Sequence, residues 1–97
     1  MARLEVLNPV ARVVEQSVPP ASRVDDLAGK RIGLYWNMKS GGDGALDRTE
    51  ELLKERFPGV TVQRFVGSVG WLMRHCTAED ADRIARQCDA VVGTTND

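Results

Sequence analysis

The chain has little cysteine, few aromatics and no excess of either charge. Two cysteines in 97 residues, Cys76 and Cys88, build no disulfide framework, and their spacing is not CxxC, which argues against dithiol redox chemistry within the chain. Thirteen Lys and Arg stand against fourteen Asp and Glu, a formal net charge of -1 at pH 7. The basic excess of a general nucleic-acid binder is therefore missing. No apolar run approaches the roughly 18 residues that a membrane-spanning helix needs. The opening MARLEVLNPVAR has neither a sustained apolar stretch nor a small-residue cleavage pattern, so it does not read as a signal peptide. Free thiols then point to a cytoplasmic setting.

What is present is ordinary for a soluble globular chain: 42% apolar and 28% charged residues. A folded chain of this size exposes roughly 5,500 Å² against roughly 15,500 Å² unfolded, which allows one small domain with a thin core. Residues 1–28 read as an extended arm. Val6 and Leu7 suggest a short strand ended by Asn8-Pro9, a second apolar patch runs from Val10 to Val14, and Pro19-Pro20 stops any regular element. Such an arm resembles a strap laid across a neighbouring surface.

From Gly29 the pattern sharpens. Ile32, Gly33, Leu34, Tyr35 and Trp36 form a nearly continuous apolar run, as expected of a strand covered on both faces. After a glycine-containing loop, Leu46, Thr49, Leu53 and Phe57 recur at helical spacing, with Asp43 as a candidate N-cap and Pro58-Gly59 as the stop. Val60, Val62, Phe65 and Val66 predict a second strand. The segment 71–76 reads as one or two helical turns. A second helix follows, capped by Thr77, its apolar face made of Ala81, Ile84, Ala85 and Cys88. Ala90, Val91, Val92 and Gly93 read as a third strand. The expected fold is a small three-layer, Rossmann-like α/β half domain: a parallel sheet of about three strands with the Ile32 strand in the middle.

Two loops meet at the carboxyl ends of neighbouring strands in that layout, where open parallel sheets collect ligands. Asn37, Lys39, Gly41, Gly42 and Asp43 combine close backbone approach with a helix N-terminus that favours an anion, though neither a Walker motif nor a GxGxxG fingerprint is present. The plain alternative is a solvated connecting loop. Thr94, Thr95, Asn96 and Asp97 are either a frayed terminus or site residues ordered by a partner. The sequence names no cofactor, and two carboxylates at Asp97 do not make a metal site. His75-Cys76 lacks a third orienting group and reads as packing, as does Cys88. Trp71, after a glycine, is a candidate interface residue. So are Val91 and Val92, on a last strand with no charge, proline or bulge to protect it.

The segments GKRIGLYWNMKSGGDGALDRTEELLKERFPGVTVQRF (29–65) and IARQCDAVVGTTND (84–97), with the opening LNP, resemble the N-terminal portion of the UGSC-like (seleno)protein family. The resemblance implies that the acidic residue ending the third strand is followed by the name-giving U/C-G-S-C motif, a presumed redox or nucleophilic centre. A further strand-helix unit would come after it. The chain stops at Asp97, where that motif would begin. The implied protein is then the first half of the family's domain, its 29–97 unit completed by a different chain. It would be a small subunit of a heteromeric enzyme, with Lys39, Asp43 and Asp97 as the groups bearing on catalysis. Asn37, Gly41, Gly42, Thr94, Thr95 and Asn96 would bind a small anionic substrate, and a partner would carry the nucleophile or redox group. The alternative is a non-catalytic module that completes a partner's sheet. A stand-alone homodimeric enzyme is the weakest reading, since the chain spells out no nucleophile or general acid-base pair.

Overall fold

The computed structural model describes residues 3–11, 13, 15–71 and 74–94. Five elements follow in order: β1 (Arg31–Trp36), α1 (Gly42–Arg56), β2 (Thr61–Val66), α2 (Ala78–Gln87) and β3 (Ala90–Thr94). The three strands form one parallel sheet in the order β2-β1-β3. The expected α/β architecture, with the Ile32 strand central, is what the chain adopts.

Side chains alternate across a strand, so β1 presents two faces, and each is covered by one helix. Ile32 and Leu34 point to the α1 side. They are buried with Leu46 and Val60, and Leu27, Trp36, Leu53, Phe57, Val62 and Ala90 pack around them. Tyr35 points the other way, onto Phe65, Ile84 and Cys88 under α2. Gly33 shares that second face because a Cβ there would lie 2.9 Å from Cys88 Sγ and 3.0 Å from Phe65 Cε2. The core is small. Full burial of a side chain such as Ile32, Leu34 or Leu46 contributes about 1.5–3 kcal/mol.

The β1–β3 register is pinned at its amino end. The Arg31 amide and guanidinium donate to the Asp89 carboxylate at 2.8, 3.1 and 3.3 Å, and the Asp89 amide returns a bond to the Arg31 carbonyl at 2.8 Å. Those hydrogen bonds from Arg31 hold the Asp89 carboxyl down at about 2. Ile32 then faces Ala90 and Leu34 faces Val92. Thr77 caps α2 as expected, in a reciprocal box: its hydroxyl accepts from the Asp80 amide, and Asp80 accepts from the Thr77 amide. Asp80 does more than the sequence pattern indicates. Its buried carboxylate also accepts from the Ser68 hydroxyl at 2.7 Å and the Ser68 amide at 3.0 Å, tying the β2–α2 loop to the helix start. With those donors around it, the Asp80 carboxyl lies well below the usual carboxylate range.

Several local expectations fail for physical reasons. Val6 and Leu7 form no strand, because an isolated extended segment has no neighbour to pair its backbone groups. Val10 lies equally exposed beyond them, and Val14 falls outside the described residues. Trp71 and residues 74–76 are not helical. The His75 amide donates to the Val69 carbonyl at 2.6 Å, closing an antiparallel bridge instead, and Leu72 and Met73 lie outside the described residues. Cys76 is consequently exposed rather than packed, whereas Cys88 is buried as expected and burial pushes its thiol pKa up. Ala81 and Ala85 are exposed too, so the apolar face of α2 is only half covered.

Asp89 and Asp80 are both depressed relative to an unfolded carboxyl near about 3.9. Groups depressed on folding contribute stability that is complete above the unfolded value and is lost as pH falls through the folded one. Thermal unfolding should therefore give a nearly constant Tm from about pH 7 to about pH 5 and a fall between about pH 4 and about pH 2. Asp89→Asn should lower Tm at neutral pH and flatten part of the acid limb. An unchanged acid limb in that variant would show that the Arg31 clamp carries no stability.

Candidate functional site

The two helices lie on opposite faces of the sheet, α1 over Ile32 and Leu34 and α2 over Tyr35 and Phe65. The carboxyl ends of the neighbouring strands β1 and β3 are the place where doubly wound sheets bind ligands. Residues from both sides converge there. The Asn37 amide donates to the Thr94 carbonyl at 3.4 Å, and the Thr94 hydroxyl donates to the Gly42 carbonyl at 3.2 Å. Trp36, at the end of β1, donates its indole N–H to the Lys39 carbonyl at 2.7 Å. That carbonyl also accepts from the Gly42 amide at 3.2 Å.

The loop between Trp36 and α1 is tightly wound. Asn37 folds its side-chain oxygen back to accept from the Lys39 amide at 3.1 Å, an Asx turn. Met38 then takes a left-handed conformation at φ 71°, unusual for a residue with a side chain. Gly41 turns into the helix at φ 93°, where any Cβ would be strained. This corrects the expectation for Asp43. The helix begins two residues earlier, Gly41 is its N-cap, and no side chain accepts a capping hydrogen bond there. Asp43 is instead an exposed carboxylate in the first turn, where it offsets the helix dipole.

Gly42 is buried between Trp36 and Thr94. A Cβ on it would lie 2.8 Å from Trp36 Cδ1, 2.9 Å from Trp36 Nε1 and 3.0 Å from Thr94 Oγ1. Trp36 therefore does two jobs: half-buried, it packs on the α1 core, and its indole fixes the loop. The structure thus brings Asn37, Lys39, Gly41, Gly42, Asp43 and Thr94 into one neighbourhood. Thr95, Asn96 and Asp97, predicted to share it, lie outside the described residues. Trp71 is 88% exposed, and Val91 and Val92 are 48% and 36% exposed on the open side of β3. Among the described residues, no group of three or more His, Cys, Asp or Glu is placed to hold a metal. Nor is any helix among them long and apolar enough to cross a membrane.

A second concave feature escaped the sequence reading. Tyr35, Cys76, Ala81, Ile84, Ala85, Val91 and Gly93 line an apolar groove of about 360 Å³ between α2 and β3. Burial, with smaller contributions from Cys76 and Asp80, raises the Tyr35 pKa. The only advance signal was the run of alanines on α2, too small to cover the sheet they face.

The fold defines a small, doubly wound parallel α/β domain whose loop-to-helix turn lies at the switch point of its sheet. The chain belongs to the UGSC family, whose model matches residues 5–97. Neither the curated proteins nor the solved structures give a match.

The glycine pair at the head of α1 supplies a direct test of the geometry. Intrinsic helix propensity favours Ala over Gly by about 1 kcal/mol, so Gly44→Ala, with nothing within 4 Å of the new Cβ, should raise Tm slightly. Gly42→Ala should lower Tm despite the same propensity gain, because Trp36 and Thr94 occupy the space. It should also shift Trp36 emission as the indole leaves Lys39. Equal effects of the two substitutions in thermal melts would contradict the close approach.

Proposed function

We propose that this chain is the anion-positioning part of a shared enzyme site. Its crevice holds a small anionic substrate, and a second, different polypeptide carries the nucleophile or redox group. One observation carries the reading: the Asn37–Gly42 turn delivers an α-helix start with no side-chain cap to the β1–β3 switch point, with Lys39 in the same turn. A helix start combines exposed amides with the positive end of the dipole, so a carboxylate or phosphate gains there. Lys39 adds a full positive charge. The left-handed Met38 and the Asx turn at Asn37 preorganise the loop, so little entropy is lost when a ligand arrives. The chain's own role in a reaction would be electrostatic stabilisation and orientation of the substrate, with Asp43 as the first-turn carboxylate available for proton handling.

The need for a partner rests on the side chains at hand. Lys39, Asp43, Asn37 and Thr94 can position and polarise, but none of them is a nucleophile paired with a base. The resemblance assigns the family's reactive cysteines to the position after the third strand, which adjoins Thr94. Trp71, exposed at the carboxyl end of the sheet, is the natural contact for the polypeptide that brings them. The open side of β3 favours a second reading, a non-catalytic module adding to another sheet.

Inorganic phosphate, titrated against the Trp71→Phe protein while Trp36 emission is followed, tests the anion site. Saturable binding should appear, weakened about tenfold or more by Lys39→Ala, as expected when a charge-assisted hydrogen bond is removed. Binding that is absent, or indifferent to Lys39, refutes the anion loop. Native mass spectrometry of the protein from its own source tests the partner: a second polypeptide is expected, and a species built of this chain alone overturns the shared site.

A further inference from the structure

The N-terminal arm is the part of the molecule that its own fold leaves without a role. Leu4, Val6, Leu7, Val10, Val13 and Val18 are between 74% and 88% exposed. The arm stands away from the body: the molecule extends 76 Å along one axis against 31 and 23 Å along the others. Its radius of gyration is 19.3 Å, where a compact chain of this length has about 12.5 Å. It exposes 8182 Å² where a compact monomer of its mass exposes about 5,500 Å². The difference is well above the roughly 800 Å² that each partner buries in a stable interface.

The sheet has two edges, and they are treated differently. On β2, Arg64 pairs with Asp47 at 2.9 Å and Glu50 at 3.6 Å, and Gln63 donates to Gln87 at 2.9 Å. Polar, charged side chains of this kind are how proteins blunt an edge. β3 has no such protection. Its sequence is Ala-Val-Val-Gly-Thr, Val91 and Val92 are exposed, and the apolar groove with α2 runs alongside. An unpaired apolar edge and an unpaired apolar strap therefore belong to the same chain.

They also match in length and pattern. Arg3, Leu4, Glu5, Val6 and Leu7 alternate polar and apolar over the first four positions, as a strand with one covered face does. They span five residues, as β3 does, and Asn8 ends the segment by accepting from the Val10 amide at 3.3 Å. We infer that the arm of a second copy of this chain pairs with β3 and lays Leu4 and Val6 into the groove beside Cys76, the two copies exchanging arms in a two-fold dimer. Exchange is reciprocal by symmetry, so each copy buries two strips of apolar surface at once. The backbone hydrogen bonds fix the register and the groove supplies the apolar contact. This inference does not rest on the anion loop, and it gives to a second copy the edge that the second reading above gives to another sheet.

Leu4 and Val6 make no part of the core, so charging them leaves the domain folded. Sedimentation velocity on the full chain, wild type against Leu4→Lys/Val6→Lys, should show a dimer that dissociates at least about tenfold more readily in the variant. Val91→Lys, which charges the edge, should do the same. Cys76 supplies an independent readout, since its thiol lies in the groove: a disulfide reagent should modify it slowly in the wild type and faster in both variants. A monomeric wild type at all concentrations overturns the inference. So does a dimer indifferent to the arm charges, or a monomer whose Cys76 is protected by its own arm.

Discussion

Everything in this small protein depends on β1 being buried on both faces. A strand in that position needs two covering layers, and a chain of this length has two helices to supply them. One helix must therefore cross above the sheet and the other below it, which places β2 and β3 on opposite sides of β1. The carboxyl ends of β1 and β3 are neighbours because of that arrangement. Ile32 and Leu34 on one side, and Tyr35 over Phe65 and Ile84 on the other, thus set where the loop after β1 stands.

The amino and carboxyl ends of the β1–β3 pair are held by different chemistry. At the amino end, Arg31 and Asp89 form a charged, hydrogen-bonded clamp that sets the register. At the carboxyl end, Trp36, Gly42 and Thr94 meet through close packing and neutral hydrogen bonds. The division suits their tasks. A clamp of opposite charges tolerates solvent, whereas the carboxyl end is set by backbone carbonyls and a tight approach at Gly42. The Asp80 node performs a comparable task on the other side, where Ser68, Thr77 and Asp80 join the β2–α2 loop to α2.

The open edge and the arm express the same economy of chain. Two helices cover three strands only partly, since α2 meets β3 with the small side chains of Ala81 and Ala85 and leaves a groove. The apolar residues that would fill such a groove are present in the chain, but they lie on a segment whose prolines and length carry it away from the body. The two proposals use different surfaces of the molecule, the strand ends for a ligand and the sheet edge for another copy.

The elements were legible in the sequence because each is coded locally. Period-two apolar runs, the helical spacing from Leu46 to Phe57, and the Thr77 cap all act over a few residues, and family resemblance rested on the same stretches. The central place of β1 was legible too, from the right-handed crossover rule. What remained hidden depends on residues far apart in sequence: the Arg31–Asp89 clamp, the Ser68–Asp80 bonds, and the contact of Trp36 and Thr94 across Gly42. The Asp43 cap was misread because Asp at a helix start is equally favourable in the first turn, and only the left-handed Gly41 decides between the two. Cys76 was misread because its packing required a helical turn that the Val69–His75 bridge displaces. Local propensity and periodicity determined the strands and helices by themselves. The tertiary structure alone decided which strand ends, side chains and edges face one another, because those contacts exist only once the crossovers have closed.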